Sequence, residues 1–122
     1  MPSPSKAEKL KLLREWVHEF KQRFGCKVPI RCRLIDLSGQ IDVKGHRTHP
    51  HGMSGLHASG KHAWIALDPV EAWAGHDGPY DVAMHEFFHV VLSAQCFNST
   101  WDEEEVAVRW LTRLYLKNPE LV

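Results

Sequence analysis

Residues 85–89 read HEFFH. On a helix, His85 and His89 lie one turn apart on the same face. Two imidazole nitrogens so placed can both reach one tetrahedral metal ion. Glu86 is turned away from that line, yet it is near enough to touch a water held at the metal. The spacing therefore carries the chemistry of metal-assisted hydrolysis, with two ligands and a general base.

A catalytic zinc takes three protein ligands and leaves one position open. No histidine follows His89, so a third histidine downstream is excluded. The positions three and six residues after His89 are Leu92 and Gln95, which excludes the Gly and His extension of the metzincins. The remaining downstream ligands are carboxylates: Asp102, Glu103, Glu104, Glu105 and, more remotely, Glu120. The first four open the last predicted helix. A carboxylate from a second helix packed against the first is good geometry for closing a site.

HEFFH followed by EEVAVRW resembles the gluzincins, zinc peptidases whose third ligand is a glutamate. Their ligand commonly sits in an E-x-x-A pattern on the next helix, where the small residue lets the helices approach. Glu104-Glu105-Val106-Ala107 matches, and the resemblance points to Glu104. Glu103 and Glu105 stand beside it in the same acidic run, Glu103 having a second explanation as the capping partner of Thr100. The short gap from His89 to Glu104 is similar to that of the minigluzincins, which include the ImmA/IrrE-type proteases. The matched motif spans only residues 85–107. The resemblance implies an α+β, zincin-like fold: an N-terminal helix, a small three- or four-stranded sheet, the HExxH helix, and a C-terminal helix carrying the third ligand. It also implies one Zn2+ per chain and a peptide or protein substrate, cleaved internally more readily than at its ends. The substrate would extend along an edge strand, expected at His62, Ala63, Trp64 and Ile65 (within HAWIAL). No sensor or helix-turn-helix segment accompanies the motif, so the regulatory role of the ImmA-type proteins does not carry over.

Eight of the nine histidines follow residue 45. A donor that steadies a tetrahedral oxyanion could come from His57, His62, His76 or Tyr80. Asp77 and Asp81 suit the start of the motif helix as caps; either could instead accept from a ligand histidine's far nitrogen, and Asp81 precedes His85 by one turn. A polar loop residue bonded to its neighbours is the plainer account of each. The same holds for His46, His49 and His51, and His18 falls on a charged helix face. A non-catalytic zinc- or peptide-binding module is the alternative to a peptidase. Glu86 argues against it, because a structural site needs no general base.

These groups need elements to position them. Residues 5–25 predict a helix, with a Ser5/Glu8 capping box, an apolar stripe from Leu10 to Phe24, and Gly25 just past its end. VPIRCRLIDL alternates as a half-buried strand, Val28, Ile30, Cys32 and Leu34 on one side and Arg31 and Arg33 on the other. A Ser38-Gly39 turn then returns a short QIDV strand onto it. Residues 44–62 have no convincing period and predict a loop or broken strand pair. HAWIALDP is a strand ended by Pro69, with Ala63, Ile65 and Leu67 on one side. A helix follows from about Asp81 to Cys96. The last helix is capped by a Thr100/Glu103 box, buries Trp110, Leu111 and Leu114, and stops at Asn118-Pro119.

At 122 residues the chain is sized for a single domain, residues 1–122, with one core. Lys+Arg and Asp+Glu balance at 15 each, which does not favour nucleic acid or an anionic membrane as the main partner. No apolar run approaches the roughly 20 residues of a membrane helix. The opening MPSPSKAEKLKLL lacks a signal peptide's order of charge, apolar run and cleavage site, and Cys26, Cys32 and Cys96 form no CxxC pair. A cytoplasmic location with free thiols is expected. The reading is a zinc metalloprotease, a hydrolase with Glu86 as base and His85, His89 and Glu104 as ligands.

Overall fold

A computed structural model describes residues 4–42, 44–94 and 101–121. The chain is a mixed α+β domain of four helices and a small sheet. In order these are α1 (Lys6–Phe24), β1 (Ile30–Leu34), β2 (Gln40–Ile41), β3 (Arg47–Thr48), β4 (Gly52–Leu56), β5 (Ala63–Leu67), α2 (Glu71–Ala74), α3 (Pro79–Ala94) and α4 (Trp101–Lys117). Among the described residues, no helix is long and apolar enough to cross a membrane.

Local chemistry sets the ends of α1. The Ser5 hydroxyl accepts from the Glu8 N–H, and the Glu8 carboxylate accepts from the Ser5 N–H. Gly25 closes the helix at φ 65°, a left-handed conformation that strains a residue with a Cβ. Leu13, Val17 and Phe20 are the fully buried positions of its stripe. The predicted Thr100/Glu103 cap of α4 and Cys96 lie outside the described residues; Cys26 and Cys32 are free thiols.

The main sheet has the order β1-β5-β4. β1 runs parallel to β5, with Cys32 opposite Ile65, and β4 runs antiparallel to β5, with Ser54 opposite Ile65. β5 is therefore the central strand. Ala63, Ile65, Ala66 and Leu67 are all fully buried, as suits a strand covered on both faces. This corrects the expectation that His62, Ala63, Trp64 and Ile65 form the edge a substrate would join: both sides of β5 are already paired. Among the described residues, the free edges belong to β1 and β4.

β2 does not return onto β1. It pairs antiparallel with β3 in a separate two-stranded ribbon. Asp42 causes this, its Oδ1 accepting the N–H groups of Lys44 and His46, both at 2.9 Å, which turns the chain at once. Upstream, the buried Leu37 N–H donates to Asp68 Oδ2 at 3.0 Å and holds the chain over the end of the sheet. The irregular stretch after Lys44 thus holds two strands, β3 and β4.

α1 and α3 pack side by side, α1 against β1 and α3 against β4 and β5. Their contact is aromatic. Phe20 lies 5.6 Å from Phe87 and 5.2 Å from Tyr80 between ring centroids, and Phe24 meets Phe88 at 5.3 Å. Tyr115 of α4 adds an edge-on contact to Phe24 at 4.8 Å. α4 packs on α3 through the buried Val108 and Thr112. Trp110, expected inside, is 65% exposed. It sits two residues past Val108, about 200° around the helix, and so faces away from α3.

Candidate functional site

α3 and α4 bring the motif and the acidic run together. His85 and His89 stand one turn apart on α3, ring centroids 5.0 Å from each other. Both oxygens of Glu105 face them: Oε1 lies 3.0 Å from His85 Nε2, and Oε2 lies 2.8 Å from His89 Nε2. One donor atom from each of the three residues falls within 4.8 Å of the others, so the group could hold a metal ion. The match to E-x-x-A had pointed to Glu104. The docked helix instead turns Glu105 into the donor cluster.

Glu104 has a different place. Its Oε1 lies 2.7 Å from His89 Nδ1. With that nitrogen donating to Glu104, Nε2 is the lone pair left to face inward, the arrangement that orients a ligating histidine. Glu103 lies on an exposed position of α4. Arg109, one turn beyond Glu105, donates to Glu105 Oε1 at 3.0 Å and fixes that carboxylate from outside.

Electrostatics match the geometry. Burial holds the His85 imidazole below its ordinary value, against the opposing pull of Glu105, which favours the neutral, ligating form. Burial would push Glu105 upward, but His85, Arg109 and His89 together hold its carboxyl below its usual range. The set is two imidazole nitrogens and one carboxylate oxygen, a donor chemistry that zinc accepts.

Glu86 reaches from α3 toward β4, within the same cleft as the two histidines. It is only 8% exposed, and burial pushes its carboxyl up to about 7, against a hydrogen bond from Ser54 and the pull of His89. The Ser54 hydroxyl donates to Glu86 Oε1 at 2.7 Å. β4 can lie this close because residue 52 is glycine. A Cβ there would meet Val82 Cγ1 at 2.7 Å and Glu86 Cγ at 3.0 Å. Ser54 was invisible to sequence reasoning, being one serine in a stretch without period; only its alternation with Gly52 along β4 marks it as facing α3.

A cleft of about 1010 Å³ opens over these groups. β4 from Gly52 to Gly55 forms one wall, α3 and α4 form the floor and the opposite wall, and Gln40 and Ile41 of the β2–β3 ribbon form the rim. His85, Glu86, His89, Glu104 and Glu105 all line it.

Of the other sequence candidates, Asp77 and Asp81 line this cleft; burial and the neighbouring Asp77 raise the Asp81 carboxyl. His57 and His62 stack on each other at 4.3 Å where β4 ends and β5 begins, the far end of the strand pair from Gly52. His76 is exposed and does not line the cleft. Tyr80 packs on Trp16 and Phe20 and donates to Glu19 at 3.3 Å, a structural role between α1 and α3.

A second group, Asp36, His49 and Asp68, also has three donors within 4.8 Å. Asp68 is already saturated. Its Oδ1 accepts from Val70 and Glu71 and its Oδ2 from Leu37 and His49, so it ties together β1's exit, β3's exit and the start of α2. In comparison with known proteins, no family model, no curated protein and no solved structure matches this chain.

Proposed function

We propose that this protein is a small zinc-dependent peptidase of zincin type, related in design to the minigluzincins, with His85, His89 and Glu105 as metal ligands. One observation carries the reading: three donors of the right chemistry converge within 4.8 Å, beside a buried carboxylate and under an open strand edge. The donor set passes the test of fit, because His89 is already held by Glu104 with Nε2 inward, and Glu105 already faces both imidazoles.

Bound zinc supplies a Lewis acid for the scissile carbonyl and lowers the pKa of water toward about 7. Glu86 takes the proton of the attacking water on a carboxylate oxygen and returns it to the leaving amine. Ser54 holds Oε1, which leaves the other oxygen to do this. Glu104 keeps His89 in one tautomer, and Arg109 keeps Glu105 in one rotamer. The substrate extends along β4, whose outer edge is unpaired among the described residues, and main-chain hydrogen bonds set its register along the cleft.

The experiment is metal content by elemental mass spectrometry, combined with cleavage of an unfolded protein substrate by wild type and Glu86→Gln. One zinc per chain with turnover lost in Glu86→Gln supports the reading. Zinc bound without any turnover by wild type leaves a non-catalytic zinc module, and no metal uptake removes the proposal.

A further inference from the structure

The other free edge of the sheet lies away from the cleft. β1 pairs only with β5 among the described residues. The Ala63 N–H donates to the Pro29 carbonyl, and the Ile35 N–H donates to the Leu67 carbonyl. With the two-residue period of a strand, positions 29, 31, 33 and 35 turn toward β5. The N–H and C=O groups of Ile30, Cys32 and Leu34 therefore point outward. They face a groove of about 440 Å³ between α1 and β1.

The groove is basic on both sides. Arg14, His18 and Lys21 reach it from α1, one turn apart along a single face, and Arg31 and Arg33 reach it from β1. No carboxylate lines it, and none of these five side chains forms an ion pair among the described residues. A chain with 15 basic and 15 acidic residues has gathered one sign of charge around an unpaired strand. Lysine or arginine on an edge is a common guard against aggregation. That purpose does not require a second basic row on the helix opposite.

We propose that the β1 edge is a docking site for an acidic, extended segment of a partner protein, which adds to the sheet as a strand beside β1. Its main chain pairs with residues 30, 32 and 34, and carboxylates on its alternate sides meet Arg14 and Lys21 on one face and Arg31 and Arg33 on the other. Strand addition gives the register and the charges select an acidic sequence. The surface is separate from the metal group and the inference does not depend on it.

The test uses the full chain and a labelled oligoglutamate peptide of roughly six residues, the span of a typical strand. Binding is read by fluorescence anisotropy at low salt, and backbone amides of Cys32 and Leu34 by NMR. The expected result is binding that protects those amides and weakens ~10-fold in the Arg31→Glu, Arg33→Glu variant. Both arginines are exposed, so that variant keeps its fold, checked by its melting curve. A backbone N-methylated peptide of the same charge should bind ~10-fold more weakly as well. Equal affinity for the methylated peptide would reduce the surface to a counterion patch and overturn strand addition. Tighter binding of a single-stranded oligonucleotide of equal charge would reassign the groove to nucleic acid. Concentration-dependent self-association abolished by the same variant would assign it to a second copy of this chain. Absence of binding at low salt would end the proposal.

Discussion

Ser54 and Glu86 are joined by a hydrogen bond of 2.7 Å from the serine hydroxyl to Oε1, across the interface of β4 and α3. The bond engages one oxygen of the buried carboxylate and restricts its rotamer. Ser54→Ala should lower kcat ~10-fold, about 1.4 kcal/mol, with metal affinity unchanged, and Ser54→Thr should restore most of it. Steady-state kinetics with metal titration in parallel separate these effects. Equal loss in the threonine variant would mean that the hydroxyl does not position Glu86.

Gly52 tests the same interface by packing. A methyl at residue 52 would press on Val82 and Glu86, and the branched Val82 has little freedom to move. Gly52→Ala should destabilise by about 1–3 kcal/mol and reduce turnover together. Urea unfolding and activity on one preparation read both. Full stability and turnover in Gly52→Ala would show that β4 yields without cost.

Glu105 and Glu104 should separate cleanly. Glu105→Ala removes the proposed carboxylate ligand and should abolish zinc binding at micromolar concentrations. Glu104→Ala removes only the partner of His89 Nδ1 and should weaken binding by about 10–100-fold. Competition with a chromogenic chelator measures both. The reverse order of effects would return Glu104 to the ligand position that its E-x-x-A match suggested.

Asp68 should shape the acid limb of stability. Burial would raise its carboxyl, but hydrogen bonds from Glu71, His49, Leu37 and Val70 outweigh that and hold it well below the usual carboxylate range. The unfolded chain then takes up this proton more readily, so the contribution is complete above about pH 4 and fades as pH falls toward the lower folded value. His49 has the opposite sign. Its bond to Asp68 raises its imidazole, so its contribution is complete below the unfolded value of about 6.5 and fades as pH rises through the folded one. Asp68→Asn keeps the shape but turns an amide donor toward backbone N–H groups. It should cost about 2 kcal/mol at neutral pH and flatten the acid limb. Thermal melts of wild type and variant from pH 3 to pH 8 decide this, and parallel pH curves for the two would assign acid unfolding to other carboxylates.

Core and surface aromatics should differ sharply. Phe87 is fully buried between α1 and α3, and Phe87→Ala should cost about 3–5 kcal/mol. Trp110→Ser should change stability by less than about 0.5 kcal/mol, its ring being 65% exposed. Denaturant midpoints compare the two, and a large loss from Trp110→Ser would place that ring in an interface.

Much was legible from local pattern. The Ser5/Glu8 box and Gly25 bound α1 as expected, because a cap is a contact between residues a few positions apart. The alternation of β1 and the helical register of His85 and His89 follow from the periods of strand and helix. What sequence could not supply was every relation between elements. The choice between Glu104 and Glu105 is a rotation of about 100° about the axis of α4, set by how Val108 and Thr112 seat that helix on α3. β5 is central because β1 and β4, far from each other in the chain, both pair with it. Ser54 meets Glu86 across 32 residues, at a distance that only the packing of β4 on α3 defines. Periodicity and capping act within a turn or a strand and are written in the residues themselves. Helix rotation, strand order and partner choice arise from the burial of shared surface, which exists only once the chain has folded.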